Sequence, residues 1–241
     1  MTSGGENRVV VAIDGPAGAG KSTIARKLAD TLGYVLLDTG AIYRSVALAA
    51  ERAGVSWDDE ARVTEVAADL ARRGGLALQP VPRGTGDEAS ERGLRVVLEG
   101  EDVSAAIRTP SISLGASRIS SIPAVRSALL ELQRAIGANG GVVAEGRDIG
   151  TVVFPQAAVK VYLTASVAIR AERRHEELRR AGQEIDIEKV REEVELRDHR
   201  DTERAVAPLR QARDAVLVDS SGREIDELVE ELAALVRRAA S

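Results

Sequence analysis

Five stretches of near-continuous apolar residues punctuate the chain: VVVAID over 9–14, YVLLD over 34–38, GVVAE over 141–145, VKVYLT over 159–164 and AVLVDS over 215–220. A strand covered on one face alternates apolar and polar positions, whereas a strand covered on both faces reads as an unbroken apolar run. Between these runs the apolar spacing changes to three and four residues, the helical period. Ile24, Leu28 and Leu32 stand at i, i+4 and i+8 ahead of Gly33, which predicts one strand, crossover helix, strand unit at the start of the chain. Strands of this kind alternating with helices predict an α/β fold, an open parallel sheet with helices on both faces.

Further helices are predicted at 40–53, stopping before Gly54, and at 57–73, where Ser56 and Asp59 have capping-box spacing and RRGG closes the element. Thr109-Pro110 reads as an N-cap followed by the first helical residue, and Pro123 opens PAVRSALLELQRAI. Ser221 with Glu224 is expected to cap the last helix, EIDELVEELAALVRRAA. One segment breaks the alternation. Residues 75–104, GLALQPVPRGTGDEASERGLRVVLEGEDVS, hold short β-like pieces around a polar tip, predicting a small antiparallel insertion of two strands with a disordered tip near 83–92.

Composition narrows the function classes. A chain of 241 residues, 44% hydrophobic, buries a substantial core and makes one large domain with an insertion or two small ones. A net charge of -5 repels a nucleic-acid backbone, so no nucleic-acid polymer is expected as a partner. There is no cysteine, which removes disulfides and thiolate metal sites, and His175 and His199 lack ligand spacing, so both are read as solvated helix residues. The opening MTSGGENR is polar and reads as a floppy start, and no run approaches the roughly 18 apolar residues of a membrane span, so a cytoplasmic protein is expected. No sustained heptad is present, which makes a monomer the default. Basic charge is carried almost wholly by arginine: Lys21, Lys27, Lys160 and Lys189 are the only lysines, and position 21 stands out for that reason.

Gly15, Gly20, Lys21 and Ser22 match G-x-x-x-x-G-K-[ST], with an apolar strand before and an amphipathic helix after. Glycines let backbone amides converge on phosphate oxygens, and the helix N-terminus adds the positive end of its dipole. Lys21 adds a charge, and Ser22 offers an oxygen ligand to Mg²⁺. A glycine-rich turn with an incidental lysine is the bland alternative, and the flanking strand and helix argue against it. The loop alone leaves GTPases, ATPases and small-molecule kinases open. No N-K-x-D and no L-S-G-G-Q segment occurs, which counts against GTPases and transporter ATPases.

Arginines recur where elements meet: Arg44, Arg108, Arg126, Arg147, Arg197, Arg200 and Arg204. An enzyme that moves a phosphoryl group onto another phosphate must hold several negative charges in line, for which rigid guanidinium forks suit better than a nucleophile. Any one of them alone defaults to a surface role. Arg170, Arg173, Arg174, Arg179 and Arg180 share a segment with Glu172, Glu176 and Glu177 at helical spacing, a charge-laced exposed helix, although the first three are candidates to reach phosphates from a closing lid. Glu145 and Asp148 follow an apolar run, at the strand end where open α/β sheets place ligands. A phosphate acceptor is already ionised at pH 7, so the chemistry needs no catalytic base.

The blocks IDGPAGAGKST, LLDTGAIYR, LEGEDVS with IRTP, AEGRDIGTVVFP and RDHRDTERAVAPL, from about residue 8 to the C-terminus, resemble the bacterial cytidylate kinases, which pass the γ-phosphoryl group of ATP to CMP or dCMP. Adenylate kinases share the phosphate loop without DTGAIYR, GRDIGTVVFP and RAVAPL in this order. The resemblance implies a P-loop kinase with a five-stranded core over 1–74 and 105–241, a monophosphate-binding insertion at 75–104, and a short helical lid at roughly 165–205. It implies ATP on Gly15, Pro16, Ala17, Gly18, Ala19, Gly20, Lys21, Ser22 and Thr23, with Arg170 and Arg173 assisting. Thr39, Arg44, Arg108, Ser117, Arg126, Arg147, Asp148, Arg197 and Asp201 are the implied acceptor residues, and Lys21, Arg147, Arg200 and Arg204 the implied catalytic ones. Within that set Arg44, Arg126 and Arg147 would hold the acceptor phosphate or flank the base, Ser117, Arg126 and Asp148 would line a cytosine pocket, and Arg197 with Asp201 would reach the sugar. Thr39 stands where serine is also familiar, and Glu145 where aspartate is.

Cytosine offers a donor at N4 and acceptors at N3 and O2, so a carboxylate with Arg and Ser donors complements it, whereas uracil inverts positions 3 and 4. A kinase for UMP or another small acceptor is the second expectation. A nucleotide-dependent regulator without turnover is the third, and the many forks for a second anion argue against it.

Overall fold

The computed structural model describes residues 7–81, 94–180 and 182–241. In chain order its elements are β1 (Val10–Asp14), α1 (Lys21–Leu32), β2 (Val35–Asp38), α2 (Thr39–Arg52), α3 (Glu60–Arg73), β3 (Leu76–Pro80), β4 (Leu94–Leu98) and β5 (Glu101–Asp102). A 3₁₀ turn (Ala106–Arg108), α4 (Pro110–Ile119), α5 (Pro123–Gly137), β6 (Val142–Gly146) and a π-helical turn (Ile149–Val153) follow. The chain closes with β7 (Val159–Thr164), α6 (Val167–Arg180), α7 (Ile187–Glu203), β8 (Val216–Asp219) and α8 (Ile225–Ala240). All five apolar runs became strands of one sheet in the order β2-β6-β1-β7-β8, and the pairings of β1 with β6, β1 with β7 and β7 with β8 are parallel. The expected α/β class is therefore the observed one. The expected tip at 83–92 and the first residues, 1–6, lie outside the described residues.

The chain packs as two compact units, Met1–Tyr34 with Gly140–Ser241, and Val35–Asn139. In the first, Val11, Ala12 and Ile13 are fully buried, as a central strand requires. Helix α1 packs on β1 and β6 through Ile24 and Leu28, while Leu32 is only half-buried. It ends where Gly33 turns left-handed at φ 64° and its N–H returns to the Asp30 carbonyl. Helix α8 buries Leu228, Val229, Leu232 and Val236 against α1 and β7. Ser221 does not cap α8 as expected: the helix starts at Ile225, and the Ser221 hydroxyl instead accepts the Ser166 N–H at 3.0 Å.

In the second unit Asp38 caps α2, its carboxylate accepting the Ala41 N–H at 2.9 Å. Helix α3 starts at Glu60 rather than at 57, because Asp59 accepts the Arg62 N–H while the Ser56 hydroxyl is occupied by the Asp58 N–H in a turn. That turn lets Trp57 donate its indole N–H to the Ala47 carbonyl at 3.0 Å and lie across Gly115 of α4, where an added Cβ would come within 2.5 Å of the ring. Helices α4 and α5 begin at Pro110 and Pro123 as predicted, the first with Thr109 accepting the Ile112 N–H. The insertion is antiparallel, with Leu76 opposite Leu98 and Leu78 opposite Val96, but it has three strands where two were expected. β4 buries Leu94, Val96 and Leu98 alternately, so the small sheet covers one face.

Candidate active site

β1 ends in Asp14, and the chain turns into α1 through a loop that has no room for a side chain at two of its glycines. At Gly15, φ 151°, a Cβ would stand 1.9 Å from the Leu163 carbonyl oxygen, and at Gly18, φ 76°, it would press on Arg170 at 3.0 Å. Gly20, φ 89°, is the N-cap of α1 and brings no side chain to cap it, so the first-turn amides are left for a ligand. The loop is held from behind through its carbonyls. Arg170 donates to Ala17 O at 3.2 Å, Arg173 to Gly18 O at 3.4 Å, and the Ser220 hydroxyl to Ala19 O at 2.9 Å. Carbonyls drawn outward leave the amides of the same peptides facing inward.

Lys21 is buried, and its ammonium donates to Pro16 O at 2.6 Å, spanning the loop. Burial pulls this ammonium well below the usual lysine range, and Arg147 and Arg197 push the same way against Glu145 and Asp201. Ser22 donates its hydroxyl to the buried Glu145 carboxylate at 3.0 Å. A hydroxyl beside a carboxylate is an all-oxygen pair that suits Mg²⁺ and leaves its other positions to water and phosphate oxygens. Among the described residues no group of three or more His, Cys, Asp or Glu side chains could hold a metal alone.

Beyond β6, Arg147 donates from Nε to Asp201 of α7 at 2.7 Å, and Arg204 lies 3.6 Å from Asp148 while donating to Ala207 O at 2.6 Å. Burial opposes ionisation of Asp201, but Arg147, Arg197 and Arg204 outweigh it and hold the carboxyl below its usual range. Arg147, Asp148, Arg197, Asp201 and Arg204 thus form one network near Lys21. Arg200, expected among the catalytic residues, is exposed on α7. Arg170 is 4% exposed and pairs with Asp198 of α7 at 2.6 Å, and Arg173 holds Ser220 through both its hydroxyl and carbonyl. Arg174, Arg179 and Arg180 form the expected surface pairs with Glu177 and Glu176.

The second unit carries its own charged cluster. Buried Asp38 pairs with Arg44 at 2.8 Å and with Arg108 at 3.7 Å. Burial works against its ionisation, yet Arg44, Arg108 and the Ala41 N–H together hold the carboxyl below its usual range. Gly40 is tight against the pair, a Cβ there falling 3.0 Å from both Arg44 and Asp38. Thr39, next to Asp38, is buried at the start of α2. Arg126 donates to Ser120 O at 3.0 Å and lies over the Tyr43 ring at 5.6 Å, while Ser117 is half-buried with its carbonyl accepting the Ser120 hydroxyl.

Sequence reasoning passed over Asp14, Asp38, Asp198 and Ser220. The first two had a signal, a carboxylate closing an apolar strand. Asp198 and Ser220 had none, since their partners are far along the chain.

The cytidylate kinase family model matches residues 11–238. The cytidylate kinase of Syntrophotalea carbinolica is 50% identical over 229 residues, covering 95% of this chain and 92% of that protein. The cytidylate kinase of Geobacter sulfurreducens is 47% identical over 241 residues, covering 98% and 96%. A solved structure of an uncharacterized protein from Eubacterium ventriosum superposes with a TM-score of 0.50 at 11% identity, over 95% of this chain and 98% of that one, a likeness of fold alone. With the phosphate loop and the arginine blocks all inside the matched span, the chain belongs to the cytidylate kinase family.

Proposed function

We propose that this enzyme transfers the γ-phosphoryl group of ATP to CMP or dCMP, giving ADP and CDP or dCDP. The observation that carries the reading is the Arg147–Asp201 and Arg204–Asp148 network beside Lys21, within a chain that matches the cytidylate kinases nearly end to end.

The donor phosphates bind the amides of the loop from Gly15 to Thr23 and the α1 N-terminus. Burial, Arg147 and Arg197 disfavour the Lys21 ammonium, and the arriving phosphates favour it, so Lys21 places a positive charge against the transferring group. The Ser22 hydroxyl, oriented by Glu145, would hold Mg²⁺, whose charge would offset that of the donor phosphates. Arg147 and Arg204 supply fixed positive charge where the transferring group meets the acceptor, with Arg200 brought in from the 165–205 lid as it closes and excludes water.

On the acceptor side, Arg44, Arg108 and Arg126 bind the CMP phosphate with Thr39, and Arg197 with Asp201 bind the sugar. Asp148 accepts from the cytosine 4-amino group, while Arg126 and Ser117 serve its acceptor atoms. We place the acceptor monophosphate segment at 75–104, and read the enzyme as a cytoplasmic monomer with no polymer or membrane partner. Among the described residues no helix is long and apolar enough to cross a membrane.

Asp148→Asn tests the reading directly. Asn can turn its NH₂ to the uracil 4-carbonyl as readily as its oxygen to the cytosine 4-amino group, so the preference for CMP over UMP, in kcat/KM, should fall by about 10²-fold. Retention of the full preference would remove Asp148 from the base pocket.

A further inference from the structure

Asp14 takes no part in the chemistry above, yet it is 4% exposed and both of its carboxylate oxygens are spent on one feature. Oδ1 accepts the Ile149 N–H and Oδ2 accepts the Gly150 N–H, each at 2.7 Å. These amides open the π-helical turn, and a first helical turn has no backbone acceptors of its own for them. The turn follows Arg147 and Asp148 without a spacer, and Val152 and Val153 bond back to the Asp148 carbonyl at 2.8 and 3.2 Å. The site has no slack: a Cβ on Gly150 would lie 3.2 Å from the Lys160 chain and 3.4 Å from Asp14.

We propose that Asp14 is a positioning residue whose carboxylate clamps the backbone carrying Arg147 and Asp148 to the end of the phosphate-loop strand. The clamp sets where those two side chains meet Asp201 and Arg204, and so where the acceptor nucleotide sits against the donor loop. This role rests on the reading of Arg147 and Asp148 as acceptor residues. Two N–H bonds to one carboxylate also define which atoms matter: an Asn keeps one acceptor oxygen and turns an NH₂ group toward the other amide.

The charged and titratable groups that act on Asp14 are Asp148 at the head of the turn and Lys21 from α1, with Arg147 beyond β6 and Tyr162 of β7 in the same field. Burial pushes the Asp14 carboxyl up to about 6, the Gly150 and Ile149 N–H bonds oppose it, Asp148 adds to it, and Lys21 opposes it.

The experiment is steady-state kinetics of Asp14→Asn with CMP and ATP varied separately, beside the amide proton shifts of Ile149 and Gly150 in wild-type enzyme. The variant should lose about tenfold or more in kcat/KM for CMP, the worth of a hydrogen bond to a charged group, while KM for ATP stays within about threefold. Equal losses for both substrates, or a CMP loss under twofold, would overturn the clamp. Should the variant not fold, the wild-type spectra decide: the two amide protons should shift together with a common midpoint near pH 6, and two shifts that stay constant would overturn it. Wild-type enzyme that ignores CMP would count against the acceptor reading alone, since the spectra test the clamp without any substrate.

Discussion

At the phosphate loop of the first compact unit the groups prepared for an anion are backbone amides, released by a loop whose carbonyls are pinned by Arg170, Arg173 and Ser220. In the second unit they are guanidinium groups, Arg44 and Arg108, gathered around a single buried carboxylate, Asp38. The amide site is rigid and carries its charge as partial dipoles, so it stands complete without a ligand. The guanidinium site is stable only because Asp38 offsets two cations, so an arriving phosphate shares or displaces a charge already present. A backbone site must therefore fail through sterics, and a side-chain site through charge.

The sharpest break of that contrast is Lys21→Ala. Turnover should fall by roughly 10²–10³ or more, the scale of removing one transition-state charge contact, while thermal stability changes little because a desolvated ammonium leaves with it. Unchanged turnover would sink the phosphate-loop assignment. Next is Gly15→Ala, where the Cβ meets the Leu163 carbonyl at 1.9 Å. It should cost about 3 kcal/mol or more, read as a lower denaturant midpoint. A wild-type midpoint would mean that the loop tolerates side chains after all.

Asp38→Asn probes the other side of the comparison. With the offsetting charge gone, Arg44 and Arg108 repel each other and lose their fixed aim, so kcat/KM for CMP should fall about tenfold while KM for ATP holds. An effect on ATP of the same size would show that the cluster does not belong to the acceptor. The smallest expected effect concerns Asp14. Its carboxyl is raised from 3.8 to about 6 in the folded chain, so the folded state binds this proton more tightly than the unfolded one. The group's contribution to stability therefore declines as pH rises through that window and is level above it. Asp14→Asn has no such titration, so its melting temperature should gain on wild type between about pH 4 and about pH 6. A constant difference across that range would contradict the assignment.

The same division governs what was legible in the sequence. Strands and the phosphate loop are written in consecutive residues, so the five apolar runs and the G-x-x-x-x-G-K-S spacing led straight to the sheet and to α1. Helix starts were less legible, since Ser56 and Ser221 sit in turns that use the same hydroxyls a cap would use. β5 was missed because Glu101 and Asp102 are both exposed and carry no apolar signal. Within the site, the arginines of the quoted blocks were visible as residues, but their partners were not: Asp201 for Arg147 and Asp198 for Arg170 depend on how α7 packs in its own unit. Arg170 and Arg173, expected to assist ATP, also donate to the loop carbonyls, a role with no sequence signal, because α6 lies close enough to Gly18 to touch it.

The most direct test of the account is ADP release by the wild-type enzyme with Mg-ATP against CMP, dCMP, UMP, AMP and GMP. The account predicts that CMP and dCMP dominate kcat/KM over the other three. Preference for UMP or a purine monophosphate, or ATP consumption that ignores CMP, would contradict it.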